Sequence, residues 1–123
     1  LPGYGYAKLP QKEREEISRV IWDFIDNSES LVMLFVLVDS RHQMQKIDME
    51  FISSLGEVGI PFGIIFTKGD KLGPVALQTR VEENCQRLLE DWEELPPVFV
   101  SSSQSAMGRE EILDYIGQIL QSL

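Results

Sequence analysis

The chain has 123 residues, of which 43% are hydrophobic and 25% charged, which suits one domain with a buried core. Its formal net charge of −9 argues against a nucleic-acid-binding surface, because such surfaces need clustered Lys and Arg. Its longest apolar runs fall far short of the roughly 20 residues of a membrane helix, so we expect no membrane span.

The first eight residues, LPGYGYAK, combine two glycines, two tyrosines and a lysine. They do not match a phosphate-binding Walker loop, which needs the pattern GxxxxGK followed by Ser or Thr. Stacking of Tyr4 and Tyr6 on nucleic-acid bases is chemically allowed, but the few basic residues nearby are offset by acids. An RNA-binding module therefore stays only as a third hypothesis.

Three short apolar runs predict β-strands at residues 31–38, 60–66 and 97–100. The runs are nearly continuous, which is typical of parallel strands covered on both faces. Apolar residues that recur every three or four positions predict helices near residues 17–25, 44–55, 81–92 and 112–123. The alternating order predicts a three-layer α/β fold, in which a parallel sheet carries helices on both faces.

The third helical segment contains the only cysteine and most of a dense group of acids. We interpret the acids as a solvated helix face; they are Glu82, Glu83, Glu90, Asp91, Glu93 and Glu94. Cys85 cannot form an internal disulfide, and we expect it to be a small core residue. A lone thiol is typical of a reducing compartment, so we expect a cytoplasmic protein.

Polar residues follow the second predicted strand in the sequence TKGD. In parallel α/β sheets, ligands bind beyond the carboxyl ends of the strands. The Asp70 carboxylate can accept two parallel hydrogen bonds from guanine, whose ring N–H and exocyclic amine have no matching pair in adenine. The Lys68 stem can lie along the base, and Thr67 can brace the loop. The alternative is a plain turn in which Asp70 caps a helix.

Three serines follow the third predicted strand. A turn of small residues lets backbone N–H groups approach a carbonyl oxygen, such as the O6 atom of guanine. Serines in this position are also common helix caps, and Gly108 with the two glutamates that follow Arg109 is typical of a helix start. The serines and TKGD support each other, because one ligand at adjacent strand ends would explain both.

Taken together, several blocks resemble the EngB (YihA/YsxC) family of bacterial Ras-like, translation-factor-class GTPases. The blocks are LPGYGYAK, LVDSRH, IPFGIIFTKGD and VSSS, and the likeness covers nearly the whole chain. The resemblance implies a P-loop NTPase fold in which residues 1–123 form a single partial GTPase domain, from the second switch to the C-terminal helix. The phosphate loop and first switch would precede this stretch.

The resemblance also assigns the nucleotide contacts. The implied binding residues are Gly3, Thr67, Lys68, Asp70, Ser102 and Ser103. Gly3 would offer its N–H to the γ-phosphate, and the others would form the fourth and fifth GTPase motifs. Ser103 and Gly69 stand where the family often has alanine. The block of residues 39–42 resembles a family hallmark without an assigned ligand contact, and turn formation or helix capping is its plain alternative.

The implied ligands are GTP or GDP with Mg²⁺, and the resemblance places the Mg²⁺ ligands upstream of this chain, with no metal ligand within it. The hydrolytic residue is unassigned, because Tyr4 follows Gly3 where Ras-type enzymes have a glutamine. The intact parent would hydrolyse GTP and assist large-ribosomal-subunit assembly and cell division. We expect the 123 residues alone to be inactive and to bind nucleotide weakly.

Two further expectations complete the sequence reading. The rival hypothesis is a non-enzymatic α/β domain, whose TKGD is a turn and whose acidic helix or exposed tyrosines bind a protein. In a Ras-like sheet, the strand at residues 31–38 would be central, so its apolar edge is exposed when its neighbour is absent. We therefore expect the chain to self-associate through that edge.

Overall fold

Strands and helices alternate along the chain in a computed structural model that describes residues 11–27 and 31–123. The helices are α1 (Gln11–Asn27), α2 (Lys46–Val58), α3 (Pro74–Leu89) and α4 (Arg109–Gln121). The strands are β1 (Leu34–Asp39), β2 (Phe62–Thr67) and β3 (Val98–Val100). A short 3₁₀ helix, Gly69–Lys71, follows β2. None of the helices in the described part is long and apolar enough to cross a bilayer.

The three strands form one parallel sheet in the order β1-β2-β3. β2 lies in the middle, with Val36 of β1 opposite Ile64 and Val98 of β3 opposite the same residue. Because all strands run in one direction, their carboxyl ends reach the same edge of the sheet. This arrangement confirms the predicted α/β fold and places the polar residues that follow each strand side by side.

One face of the sheet carries the main core. Side chains alternate between the faces of a strand, so Val36 and Val38 share a face with Ile64 and Phe66. This face packs with the apolar stripes of α2 and α3 in one buried cluster. The fully buried apolar members of that cluster are Met44, Ile52, Leu55, Ile64, Phe66 and Leu88. Their burial determines both the register of the sheet and the positions of the two helices on it.

The opposite face is covered by α4, but only in part. Tyr115 of α4 contacts Phe35 of β1 and Phe99 of β3, with ring centroids 6.5 and 5.2 Å apart. Leu37, on the same face of β1, remains 46% exposed. The prediction that strands are covered on both faces is therefore met fully by β2 alone within the described residues.

Every helix and strand differs from its predicted bounds by one or more residues, as β1 and α3 illustrate. β1 begins at Leu34, three residues later than the apolar run predicts. α3 begins at Pro74, a residue tolerated in a first helical turn, and ends at Leu89, before Trp92. Trp92 still packs on Phe62, with ring centroids 5.4 Å apart, because the turn after α3 folds the indole back onto the core.

Gly108 fixes the approach of the last loop to the sheet. It precedes α4 with a φ of 73°, in the left-handed region that favours glycine. A Cβ atom there would lie 1.7 Å from the carbonyl oxygen of Val100. The loop between β3 and α4 can therefore close tightly over the strand end only with glycine at this position.

Candidate functional site

Main-chain hydrogen bonds join the segments that leave the three strands. Ser40 N–H donates to the Thr67 carbonyl oxygen at 2.9 Å, which ties the end of β1 to the end of β2. Ser101 N–H donates to the Phe66 carbonyl oxygen at 2.8 Å, and Gly69 N–H donates to the Ser101 carbonyl oxygen at 2.9 Å. Backbone hydrogen bonds alone thus hold the loops after β2 and β3 together.

Gly69 allows these two loops to meet closely. It is buried, and a Cβ atom at this position would lie 2.6 Å from Met107 Sδ and 2.9 Å from Val100 Cγ1. Both distances are shorter than ordinary van der Waals contact, so an alanine here would require the Met107 and Val100 side chains to move. Glycine in TKGD therefore leaves room for these two side chains between the loops.

Asp70 and Ser102 meet across the two loops. The Ser102 hydroxyl donates to Asp70 Oδ1 at 2.5 Å and also accepts a hydrogen bond from Gln104 N–H at 3.2 Å. Lys71 Nζ lies 3.6 Å from Asp70 Oδ2. The hydrogen bond from Ser102, aided by the nearby Lys71 ammonium, lowers the pKa of Asp70. Asp70 is therefore held ionised and in a fixed orientation at neutral pH.

The Asp70 carboxylate keeps capacity for a ligand. Its side chain is 23% exposed, and an ionised carboxylate has about four acceptor positions, of which Ser102 uses one. The N–H of Ser103, on the exposed side of the same turn, donates no hydrogen bond within the described residues. The two facing turns thus present an acceptor on Asp70 and a backbone donor on Ser103, the complement of guanine's N–H groups and O6 atom.

Lys68 adopts an unusual backbone conformation between Thr67 and Asp70. Its φ of 58° lies in the left-handed region, which costs a non-glycine residue roughly 1–2 kcal/mol. Thr67 Oγ1 donates to the Val38 carbonyl oxygen at 3.4 Å, and Lys71 N–H donates to the Lys68 carbonyl oxygen at 3.0 Å. These bonds support the turn, and the lysine side chain remains 52% exposed above it.

An ionic cluster formed by Asp39, Arg41 and Lys68 lies beside this turn. Arg41 donates from Nε to Asp39 Oδ1 at 3.1 Å and from Nη2 to Oδ2 at 2.8 Å. Its backbone N–H also donates to Oδ1 at 3.0 Å, and Lys68 Nζ lies 3.5 Å from Oδ2. The Arg41 hydrogen bonds hold the pKa of Asp39 well below its usual range, despite the burial of its carboxylate.

Two residues of α3 hold the segment that links β1 to α2. Buried Asn84 accepts a hydrogen bond from Met44 N–H at 2.9 Å and donates to the His42 carbonyl oxygen at 3.4 Å. Arg87 also donates to the Met44 carbonyl oxygen. Sequence reasoning missed this clamp, because its members lie about 40 positions apart and only the fold brings them together. The one signal for it in the sequence was an asparagine on the apolar face of a predicted helix.

The structure brings most of the predicted binding residues to one place. Thr67 ends β2, Lys68 and Asp70 lie in the turn that follows it, and Ser102 and Ser103 share the facing turn after β3. Gly3 lies outside the described residues, as do Tyr4 and Tyr6. The plain alternatives fit less well: Gly73, not Asp70, precedes α3, and Gly108, rather than a serine, precedes α4. For the hallmark block the turn alternative is met, because His42 N–H donates to the Asp39 carbonyl oxygen at 3.2 Å, whereas the residue preceding α2 is Gln45, outside the block.

The described residues offer no ready cation site. Within them, no group of three or more His, Cys, Asp or Glu side chains is placed to hold a metal ion. Asp39 already pairs with Arg41 and Lys68, and Asp70 pairs with Ser102. These carboxylates suit hydrogen-bond donors rather than Mg²⁺, which prefers several oxygen ligands with near-octahedral geometry.

Comparison with known proteins identifies homologues along the whole chain, although no protein-family model matches it. The chain is 55% identical over 123 residues to a protein of Porphyromonas gingivalis and 53% identical over 123 residues to one of Phocaeicola vulgatus. A protein of Flavobacterium psychrophilum is 44% identical over 124 residues. Each is named "Probable GTP-binding protein EngB". The resemblance to the EngB family is thereby confirmed.

The match covers only part of these relatives. The whole chain aligns with 61% of the Porphyromonas protein, 62% of the Phocaeicola protein and 60% of the Flavobacterium protein. The chain therefore spans about three fifths of the length of the curated relatives it matches, in their C-terminal part.

Replacing Ser102 by alanine tests the contact that fixes Asp70. Loss of the donated hydrogen bond should raise the pKa of Asp70 toward its ordinary value, as measured by NMR titration of its carboxyl carbon. The matched control is Ser103→Ala, because the Ser103 side chain is exposed and forms no hydrogen bond in the described structure. An Asp70 pKa that is unchanged in Ser102→Ala would contradict the assigned contact.

Proposed function

Because this chain is homologous over its whole length to proteins named GTP-binding protein EngB, we propose that it forms the guanine-reading part of a GTP-binding domain. The proposed contacts are Gly3 with the γ-phosphate and Thr67, Lys68, Asp70, Ser102 and Ser103 with the guanine base or the loops around it. Residues 1–123 then constitute one partial GTPase domain that begins at the second switch.

The observation that carries this proposal is the hydrogen bond between Ser102 and Asp70 at the ends of adjacent parallel strands. A carboxylate held in one orientation can accept both guanine donors without first losing rotational freedom, and preorganisation of this kind favours binding. Adenine presents no second donor at the corresponding position. A turn with only a structural role would not need an ionised carboxylate that stays partly exposed beside an unused backbone N–H.

The further parts of the proposal rest on the family resemblance. The intact protein hydrolyses GTP with Mg²⁺, and the segment that precedes this stretch contributes the phosphate loop and the Mg²⁺ ligands. It acts in the cytoplasm, in assembly of the large ribosomal subunit and in cell division. No hydrolytic step is assigned to the described residues, and we propose that the 123 residues alone bind nucleotide weakly and lack hydrolytic activity.

The base preference can be tested in the extended protein, by which we mean this chain together with the N-terminal segment that its relatives carry. Asp70→Asn replaces one carboxylate oxygen by an NH₂ group, which opposes the exocyclic amine of guanine. We expect the affinity for GDP to fall about 100-fold, as measured by calorimetry. Xanthosine diphosphate, which has a carbonyl oxygen in place of that amine, should bind the variant better than GDP does.

Asp114→Asn is the matched control, because Asp114 is exposed on α4 and distant in sequence from both loops. It removes the same charge and should leave the affinity for GDP and the preference for guanine unchanged. Unchanged GDP binding by Asp70→Asn would overturn the proposed function and favour the rival hypothesis of a protein-interaction domain.

We also propose that the 123-residue chain self-associates through β1. Among the described residues, β1 pairs only with β2, so its other edge has unpaired backbone groups. The face that carries Leu37 adds exposed apolar surface, and a groove of about 340 Å³ lies between the start of β1 and α4. The side chains that line it are all apolar: Leu31, Val32, Met33, Phe35, Ile116, Ile119 and Leu120. A second copy of the chain would cover edge and groove together.

Light scattering on the isolated chain measures this self-association. We expect a dimer or larger species that shifts to monomer in Leu37→Lys, because the substitution places a charge in the apolar face. Val58→Lys makes the same change in charge at an exposed position at the end of α2 and should leave the mass unchanged. A clean monomer at high concentration would contradict the proposal.

A further inference from the structure

Neither sequence reasoning nor the proposed function gives a ligand-binding role to Asp39 or Arg41, which form an ionic cluster with Lys68. The cluster spans two loops: Asp39 ends β1, whereas Lys68 directly follows β2. Its carboxylate is only 6% exposed, so this contact differs from an ordinary surface ion pair, which contributes little. The position of the cluster beside TKGD suggests a connection with the proposed guanine site.

The backbone holds the two loops of the cluster at a fixed separation. Asp39 lies opposite Thr67 in the parallel register, one residue before Lys68. The hydrogen bonds from Ser40 N–H to the Thr67 carbonyl oxygen and from Thr67 Oγ1 to the Val38 carbonyl oxygen cross the same point. The Asp39 carboxylate and the backbone of Lys68 therefore cannot drift apart without breaking the end of the sheet.

Arg41 fixes the orientation of the Asp39 carboxylate. The guanidinium donates to both carboxylate oxygens, and the backbone N–H of Arg41 adds a third hydrogen bond. Paired donors of this kind set the plane of a carboxylate as well as its charge. With its plane set, Oδ2 lies 3.5 Å from Lys68 Nζ, and the lysine stem spans the distance from the left-handed turn to Asp39.

We infer that Asp39 is a positioning residue for guanine recognition: it anchors the Lys68 ammonium so that the lysine stem is ordered where the base would lie. This inference rests on the proposed function, because it gives Lys68 a base to contact. A lysine side chain has many rotamers, and ordering it before binding removes part of the cost of immobilisation. Arg41 acts indirectly, because it orients the Asp39 carboxylate.

A purely structural role for the cluster makes a different prediction. If Asp39 served only to stabilise the turn after β1, its removal would weaken nucleotide binding equally whether or not Lys68 had a charge. If Asp39 acts through the Lys68 ammonium, its effect must disappear once that ammonium is absent. A double-mutant cycle separates the two roles, because it measures the coupling between the residues.

The experiment uses calorimetric titration of the extended protein with GDP. We expect Asp39→Asn to raise the dissociation constant about fivefold, the scale of immobilising one long side chain. In the Lys68→Met background, which keeps an apolar stem but removes the ammonium, Asp39→Asn should change the constant less than about twofold. Equal increases in both backgrounds would overturn the inference.

The control and a second variant keep the result interpretable. Glu50→Gln breaks the exposed contact of Lys46 with Glu50, whose charged atoms are 3.9 Å apart, and should leave GDP affinity unchanged. If Asp39→Asn does not fold, Arg41→Gln serves instead, because the Arg41 side chain is 40% exposed. It should weaken binding by a smaller factor, again only when Lys68 is present. An equal effect in both backgrounds would again overturn the inference.

The outcome with Asp70→Asn separates this inference from the proposed function. If Asp70→Asn loses guanine preference while Asp39→Asn and Arg41→Gln bind GDP like the unsubstituted protein, only the inference fails. If the unsubstituted protein shows no preference for guanine nucleotides, the proposed function fails and the inference fails with it.

Discussion

The parallel register of the three strands determines where every polar residue of the candidate site lies. Val36, Ile64 and Val98 stand side by side in the sheet, so the loops that follow β1, β2 and β3 leave it at one edge. That register is itself maintained by burial, because a shift of one residue would turn the apolar side chains of β2 away from α2 and α3. The contacts of Asp39 with Lys68 and of Asp70 with Ser102 are therefore consequences of core packing.

Two carboxylates at this edge have different surroundings and so suit different tasks. Asp39 is nearly buried and its oxygens are occupied by Arg41, with Lys68 close by, which suits an anchor. Asp70 is more exposed and has a single hydroxyl donor beside a lysine, which leaves acceptor positions for a ligand.

The sequence was sufficient to predict the order of elements, the parallel sheet and the grouping of Thr67, Lys68, Asp70 and Ser102. These features depend on local periodicity and on a general rule for α/β sheets. It could not predict the pairing of Asp39 with Lys68, which depends on the strand register and on the left-handed backbone conformation of the lysine. The resemblance predicted an exposed apolar edge for this strand, but an apolar run alone does not show which of its residues, here Leu37, stays exposed.

We propose that the turns after β2 and β3 read guanine through Asp70, and a crystal structure of the extended protein with GDP would test this. We expect the ring N–H and exocyclic amine of guanine to lie about 2.7–3.0 Å from the Asp70 carboxylate, with O6 facing the Ser103 N–H and the Lys68 stem along the base. A base bound elsewhere, with Asp70 still paired only to Ser102 and Lys71, would contradict it.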